Sequence, residues 1–158
     1  MSQTHKNTIE RQTNLKIERA ISLQMEEIIP KMQDFSKSYR IANVKEKSPF
    51  RNVLNVATDP GSGIEVTKNY IRYQLGRRGA NRMWQETAGG DTTFATALVE
   101  KIDALSTDAE KILKSVAQDS DKEPDKTQIQ KVHLRLMQLY LGNLARYQAY
   151  LANERDNN

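Results

Sequence analysis

The sequence predicts an all-α fold, a compact bundle of about five helices in one domain. Three observations carry this. Glycine and proline fall at only a few places: Pro30, Pro49, Pro60-Gly61, Gly63, Gly76, Gly79, Gly89-Gly90, Pro124 and Gly142. Between them apolar residues recur every three or four positions, the period of one helix face. Few segments show the strict alternation of a half-buried strand. At 158 residues the chain suits one core and is short for two.

The first helix is expected from about Thr8 to Ile28, with Ile17, Ile21, Met25 and Ile28 or Ile29 inward. Pro30 lacks a backbone donor, so it should kink or end that helix. A second turn or short helix then carries Phe35 and Tyr39. Ser48-Pro49 has the form of an N-cap followed by proline at the first helical position. The helix it opens buries Phe50, Val53, Leu54 and Ala57, and Asp59-Pro60-Gly61 stops it.

Ser62-Gly63-Ile64-Glu65 has the form of a capping box, so a third helix starts there. Val66, Tyr70, Ile71 and Leu75 form its expected inner side, which turns Glu65, Lys68, Asn69 and Arg72 outward. Asp91 is the expected cap of a long fourth helix. Its inward residues are Phe94, Leu98, Ile102, Leu105, Ala109, Ile112 or Leu113, and Val116. Asp119 to Asp125 forms a charged loop. The last helix runs from about Lys126 to Asn153, with Ile129, Val132, Leu136, Tyr140, Leu144, Tyr147 and Leu151 in period. Met137, Leu139 and Leu141 widen its stripe, which makes it the central helix. The domain thus spans residues 1–158: 1–7 and 154–158 frayed, 8–47 an N-terminal helical region, and 48–153 the main bundle.

Composition removes several functions. The chain has no cysteine, which excludes a disulfide framework, a thiolate zinc site and a cysteine nucleophile. The opening residues are polar and lack an apolar signal core, and no run approaches the roughly 20 apolar residues of a membrane span. The expectation is a soluble protein of the cytoplasm with no membrane partner. His5 lies in the polar opening segment and His133 beside the last helix's apolar stripe. Neither the Glu26-Glu27 pair nor the Asp119–Asp125 acids have a histidine or carboxylate at the spacing of a ligand set. Gly76-Arg-Arg-Gly79 lacks the Lys-Ser/Thr and the preceding strand of a phosphate loop. The chain is therefore expected to be no enzyme and to need no cofactor, metal or small-molecule substrate.

Charge is distributed unevenly. The net charge is +4, but residues 48–90 carry six cations against three acids and residues 91–122 four against seven. Between Ile64 and Trp84 stand Lys68, Arg72, Arg77, Arg78 and Arg82 with one acid, Glu65. Tyr70, Tyr73 and Trp84 are interleaved with them. Arginine forks onto phosphate without reading bases, so this ridge points to sequence-independent binding of a nucleic-acid backbone. Tyr73 and Trp84 are candidates to stack on bases, although packing onto the bundle explains Trp84 equally well.

The helix Lys68-Asn-Tyr-Ile-Arg-Tyr-Gln-Leu-Gly-Arg77, with the last helix Leu136-Met-Gln-Leu-Tyr-Leu-Gly-Asn-Leu-Ala-Arg-Tyr-Gln-Ala-Tyr150, resembles the small subunit of type III CRISPR RNA-guided effector complexes. The resemblance covers roughly residues 50–152 and leaves the first 47 residues unmatched. It implies an all-helical, non-catalytic subunit stacked in copies along a ribonucleoprotein filament, holding guide RNA and target RNA through their backbones. Cleavage then belongs to other subunits. The acidic fourth helix would meet a basic face of the next copy. Carried onto this sequence, the nucleic-acid-binding residues are Lys68, Arg72, Arg77 and Arg78. Arg82 and Arg51 join them on charge and nearness in sequence.

Two other readings stand beside this one. Helices at 49–58 and 64–78 joined by a glycine-containing turn would make a helix-turn-helix DNA-binding regulator. Its reading helix, however, opens with Glu65, Val66 and Thr67, and its cations come late. A helical protein–protein adaptor would instead offer the basic ridge to an acidic partner.

Overall fold

Alternating helices and tight connections build the molecule, for which a computed structural model describes residues 2–117 and 122–156. Among these, five long helices follow one another: α1 Gln3–Ser38, α2 Ser48–Thr58, α3 Ile64–Gly76, α4 Phe94–Val116 and α5 Lys126–Asp156. Short 3-10 turns at Ile41–Asn43 and Arg82–Gln85 lie in the connections. The described residues form no strand, only one isolated bridge between Thr87 and Thr93. No helix among them is long and apolar enough to cross a membrane.

α1 departs most from expectation. It starts at Gln3, capped by Ser2, and runs through Pro30 to Ser38 in one piece. The reason is energetic. Ile21, Met25 and Ile28 before the proline and Met32 and Phe35 after it are all buried. Each such side chain gains about 1.5–3 kcal/mol on burial. Together they outweigh the roughly 3 kcal/mol that a proline costs inside a helix. Pro30 itself faces solvent. What ends the helix is Arg40, which takes a left-handed conformation at φ 56° while its N–H bonds the Lys37 carbonyl.

The core is organised around Phe94, the first residue of α4 and fully buried. Its ring centroid lies 5.5 Å from Phe35, 5.6 Å from Tyr39 and 5.8 Å from Trp84. Aromatic residues of α1, the Arg82–Gln85 turn and α4 therefore meet at one point. Thr93, not Asp91, caps α4, its hydroxyl accepting from the Thr96 N–H.

α5 packs against α1, α2 and α4, while α3 rests on α2 and α4. Two glutamines of α5 satisfy backbone groups elsewhere. Gln138 donates to the Ala57 carbonyl near the end of α2. Buried Gln148 donates to the carbonyls of Val44 and Glu46, which ties the strap before α2 to the last helix. Of the expected Asp119–Asp125 loop, residues 119–121 lie outside the described residues, as do 1, 118 and 157–158.

Candidate nucleic-acid interface

The helix expected to carry the ridge is turned differently about its own axis. On α3 the buried side chains are Thr67, Lys68, Ile71 and Gln74. Val66, expected inside, is 53% exposed. The expected capping box does not form either. Gly63 is the N-cap and gives no side-chain cap, while the Ser62 hydroxyl is buried with no hydrogen-bond partner among the described residues. Glu65 is thus free to serve Lys68.

Lys68 is the main correction. Its place in the sequence pattern turns it outward, yet it is only 7% exposed. Its ammonium lies 2.7 Å from Asp103 Oδ1 and 3.0 Å from Glu65 Oε1. The hydrogen bond to Asp103 raises its pKa above the ordinary lysine value; burial opposes this and Glu65 adds to it. Lys68 therefore clamps α3 to α4. It is not available to a phosphate. The polar neighbours on its buried stripe are satisfied as well. The Thr67 hydroxyl bonds the Gly63 carbonyl, and Gln74 Oε1 accepts from Arg77.

The four arginines of the ridge remain at the surface. Arg72 is exposed on α3, Arg77 and Arg78 follow its last turn, and Arg82 opens the 3-10 turn. Among the described residues none of the four forms an ion pair. Tyr73 is 61% exposed beside them. Trp84 is not available for stacking on a base, since it is buried against Phe94.

Met83 and Trp84 give the loop its anchor. Both are buried, so they fix the chain one and two residues after Arg82. Asn81 holds the other side. Its Oδ1 accepts from the Met83 N–H, and its Nδ2 donates 3.2 Å to Glu46 on the strap. Gly79 has φ +81°, a conformation that a side chain would strain, and it lets Arg77–Arg82 fold back within six residues. The outcome is a short cationic rim on a fixed backbone.

Arg51 does not join this rim. It is exposed on α2 and lines a separate groove of about 210 Å³ with Lys47 and Arg146. Sequence reading missed Arg146, whose only signal was a cation on the outer face of a helix assigned to the core. The acids of α4 are partly used inside the molecule. Asp103 holds Lys68, and Asp108 accepts from Gln24 of α1 at 2.7 Å. His133 donates from Nε2 to the Ile102 carbonyl at 2.7 Å, a contact that joins α5 to α4.

No family model matches the chain, and no curated protein or solved structure is similar enough to assign it to a family.

Proposed function

We propose that this chain is a non-catalytic helical subunit that holds RNA through backbone contacts, of the kind found as the small subunit of type III CRISPR effector complexes. It would stack with copies of itself and with the other subunits of the complex in the cytoplasm, contacting guide RNA and target RNA. One observation carries the reading. Arg72 on α3 and Arg77, Arg78 and Arg82 on the loop fixed by Met83, Trp84 and Asn81 are exposed without an acidic partner among the described residues. Guanidinium groups on a fixed backbone meet phosphates with little ordering cost. Nothing in the rim selects one base, so binding is sequence-independent.

The helix-turn-helix alternative loses ground on α3 itself. Thr67 and Lys68 lie in the opening turns, where a reading helix presents side chains, and both are buried. The adaptor alternative differs in what the ridge would meet, and binding separates the two.

Replacing the four arginines together with alanine should weaken binding of single-stranded RNA and lower the log–log salt slope by about 0.7 for each phosphate that is no longer neutralised. The loss should be equal for two unrelated RNA sequences, and a DNA duplex should show no preferred site. Unchanged RNA affinity in the folded variant would remove the reading. The complex itself is tested by recovering the tagged chain from its own cells and sequencing the RNA that comes with it. CRISPR-repeat-bearing guide RNA is the expected result; its absence overturns the assignment to an RNA-guided complex.

A further inference from the structure

The rim and the α2–α5 groove lie far apart along the sequence, but the strap Val44–Lys47 joins them. At one end Glu46 accepts from Asn81, the residue next to Arg82. At the other end Gln148 of α5 holds the Val44 and Glu46 carbonyls, and Lys47 lines the groove. Lys45, between them, is exposed. The cations in this region are Arg82 next to Asn81, Lys45 and Lys47 on the strap, and Arg51 and Arg146, which line the groove together with Lys47. Among the described residues, none of these five forms an ion pair.

α5 also carries an aromatic surface. Tyr150 stands one helical turn beyond Arg146 on the same face of α5. It is 56% exposed, and its ring stacks on Tyr147 at 6.2 Å between centroids. The stacking holds the ring in place and leaves much of it open to solvent. Its hydroxyl donates to Glu154. Glu46 and Glu154 each already accept a hydrogen bond.

We infer that the groove of Lys47, Arg51 and Arg146 is the second half of a single-stranded nucleic-acid track that begins at the arginine rim, with Tyr150 as a base-stacking platform at its end. The inference rests on reading the rim as an RNA contact. The chemistry favours a single strand. Lys47, Arg51 and Arg146 line one groove, which suits a phosphodiester backbone, and an exposed ring offers a π-face that any base can use. An acidic polypeptide would be met by the cations but would gain little from the ring. The groove floor of Gly142, Ala145 and Ala149 lets a backbone lie close to α5.

The test is fluorescence anisotropy with labelled oligouridines of about 5 and about 20 nucleotides, lengths that span part and all of such a site. The variants are the groove triple Lys47→Ala/Arg51→Ala/Arg146→Ala, the rim triple Arg77→Ala/Arg78→Ala/Arg82→Ala, Tyr150→Ala and Tyr150→Phe. The groove triple should bind the long RNA at least about tenfold more weakly, with the salt slope lower by about 2. Tyr150→Ala should lose about fivefold or more, while Tyr150→Phe, which keeps the ring, should stay near wild type. If the triple does not fold by circular dichroism, the single changes Arg51→Gln and Arg146→Gln read the same effect.

Each outcome has its own meaning. Wild-type affinity in the groove variants, with weaker binding in the rim triple, overturns the track and leaves the rim reading standing. Weaker binding in the groove variants alone removes the rim reading and overturns the track as one that begins there. Full affinity in both sets, or no RNA binding by the wild type, removes both. Binding of polyglutamate that disappears in the groove triple, with no effect of Tyr150→Ala on RNA, identifies an acidic protein as the partner and overturns the track.

Discussion

Lys68 and Arg72 stand one turn apart on α3, with the same charge and opposite uses. The inner face of that helix holds its cation against Asp103 and Glu65, with almost no exposed surface. Arg72 and the three arginines that follow the helix are exposed and form no ion pair among the described residues. The difference lies in the surroundings, since Asp103 belongs to another helix. Charge at the surface is available for binding only where the fold has not already supplied a counter-ion. A basic run in a sequence therefore overstates the site by whatever the neighbouring helices take for themselves.

Four experiments test this division between inner clamp and outer rim. The largest effect lies at the core that supports both. Phe94→Ala removes the ring that Phe35, Tyr39 and Trp84 pack on. It should cost about 3–5 kcal/mol by urea unfolding, or roughly 10 °C in Tm. A cost under about 1 kcal/mol would mean that the aromatic centre does not hold the rim loop.

Next come the two ends of the clamp, and their order is informative. Asp103→Ala leaves a buried ammonium with only Glu65, whose side chain is 80% exposed. Lys68→Met removes the buried charge and keeps an apolar stem. Asp103→Ala should therefore cost about 2–3 kcal/mol and Lys68→Met only about 1. Neither should change RNA affinity. Reduced RNA binding in a stable Lys68→Met protein would return Lys68 to the site.

The clamp also predicts a dependence on pH. The folded state raises the Lys68 pKa, so it holds that proton more tightly than the unfolded chain. The contribution is complete below the ordinary lysine value and is lost as pH rises through the folded value. Unfolding free energies of wild type and Lys68→Met should therefore converge above about pH 10.5. Tyr39 and Tyr140 act in the same direction, both raised chiefly by burial, and they cancel because both proteins contain them. A constant difference between about pH 8 and pH 11.5 would remove the clamp's electrostatic role.

The smallest effect on stability belongs to the rim. Arg72, Arg77, Arg78 and Arg82 replaced together by alanine should change unfolding free energy by no more than about 0.5 kcal/mol per site, as exposed positions do. A large drop in Tm would show that the arginines serve the fold as well as the surface.

Much of the fold could be read from the residue order. The apolar stripes of α4 and α5, from Phe94 to Leu113 and from Val132 to Leu144, are buried as their spacing requires. The end of α2 before Asp59-Pro60 and the exposed arginines after Gly76 also follow from local chemistry. Local signals failed where a distant contact outweighed them. Pro30 does not stop α1, because apolar residues on both sides of it bury on one face. Ser62 and Asp91 give way as caps to Gly63 and Thr93.

The sequence by itself determined the helices, their apolar faces and the concentration of cations between Ile64 and Trp84, because these depend on residues a few positions apart. Tertiary structure alone decided the rotation of α3, since its apolar residues are spread over more than one stripe and the packing of α2 and α4 chooses between them. That choice placed Lys68 beside Asp103, 35 residues away in the chain. The same kind of long-range pairing, Asn81 with Glu46 and Gln148 with Val44, ties both the rim loop and α5 to the strap before α2. Side chains so far apart in sequence carry no local pattern that records their meeting.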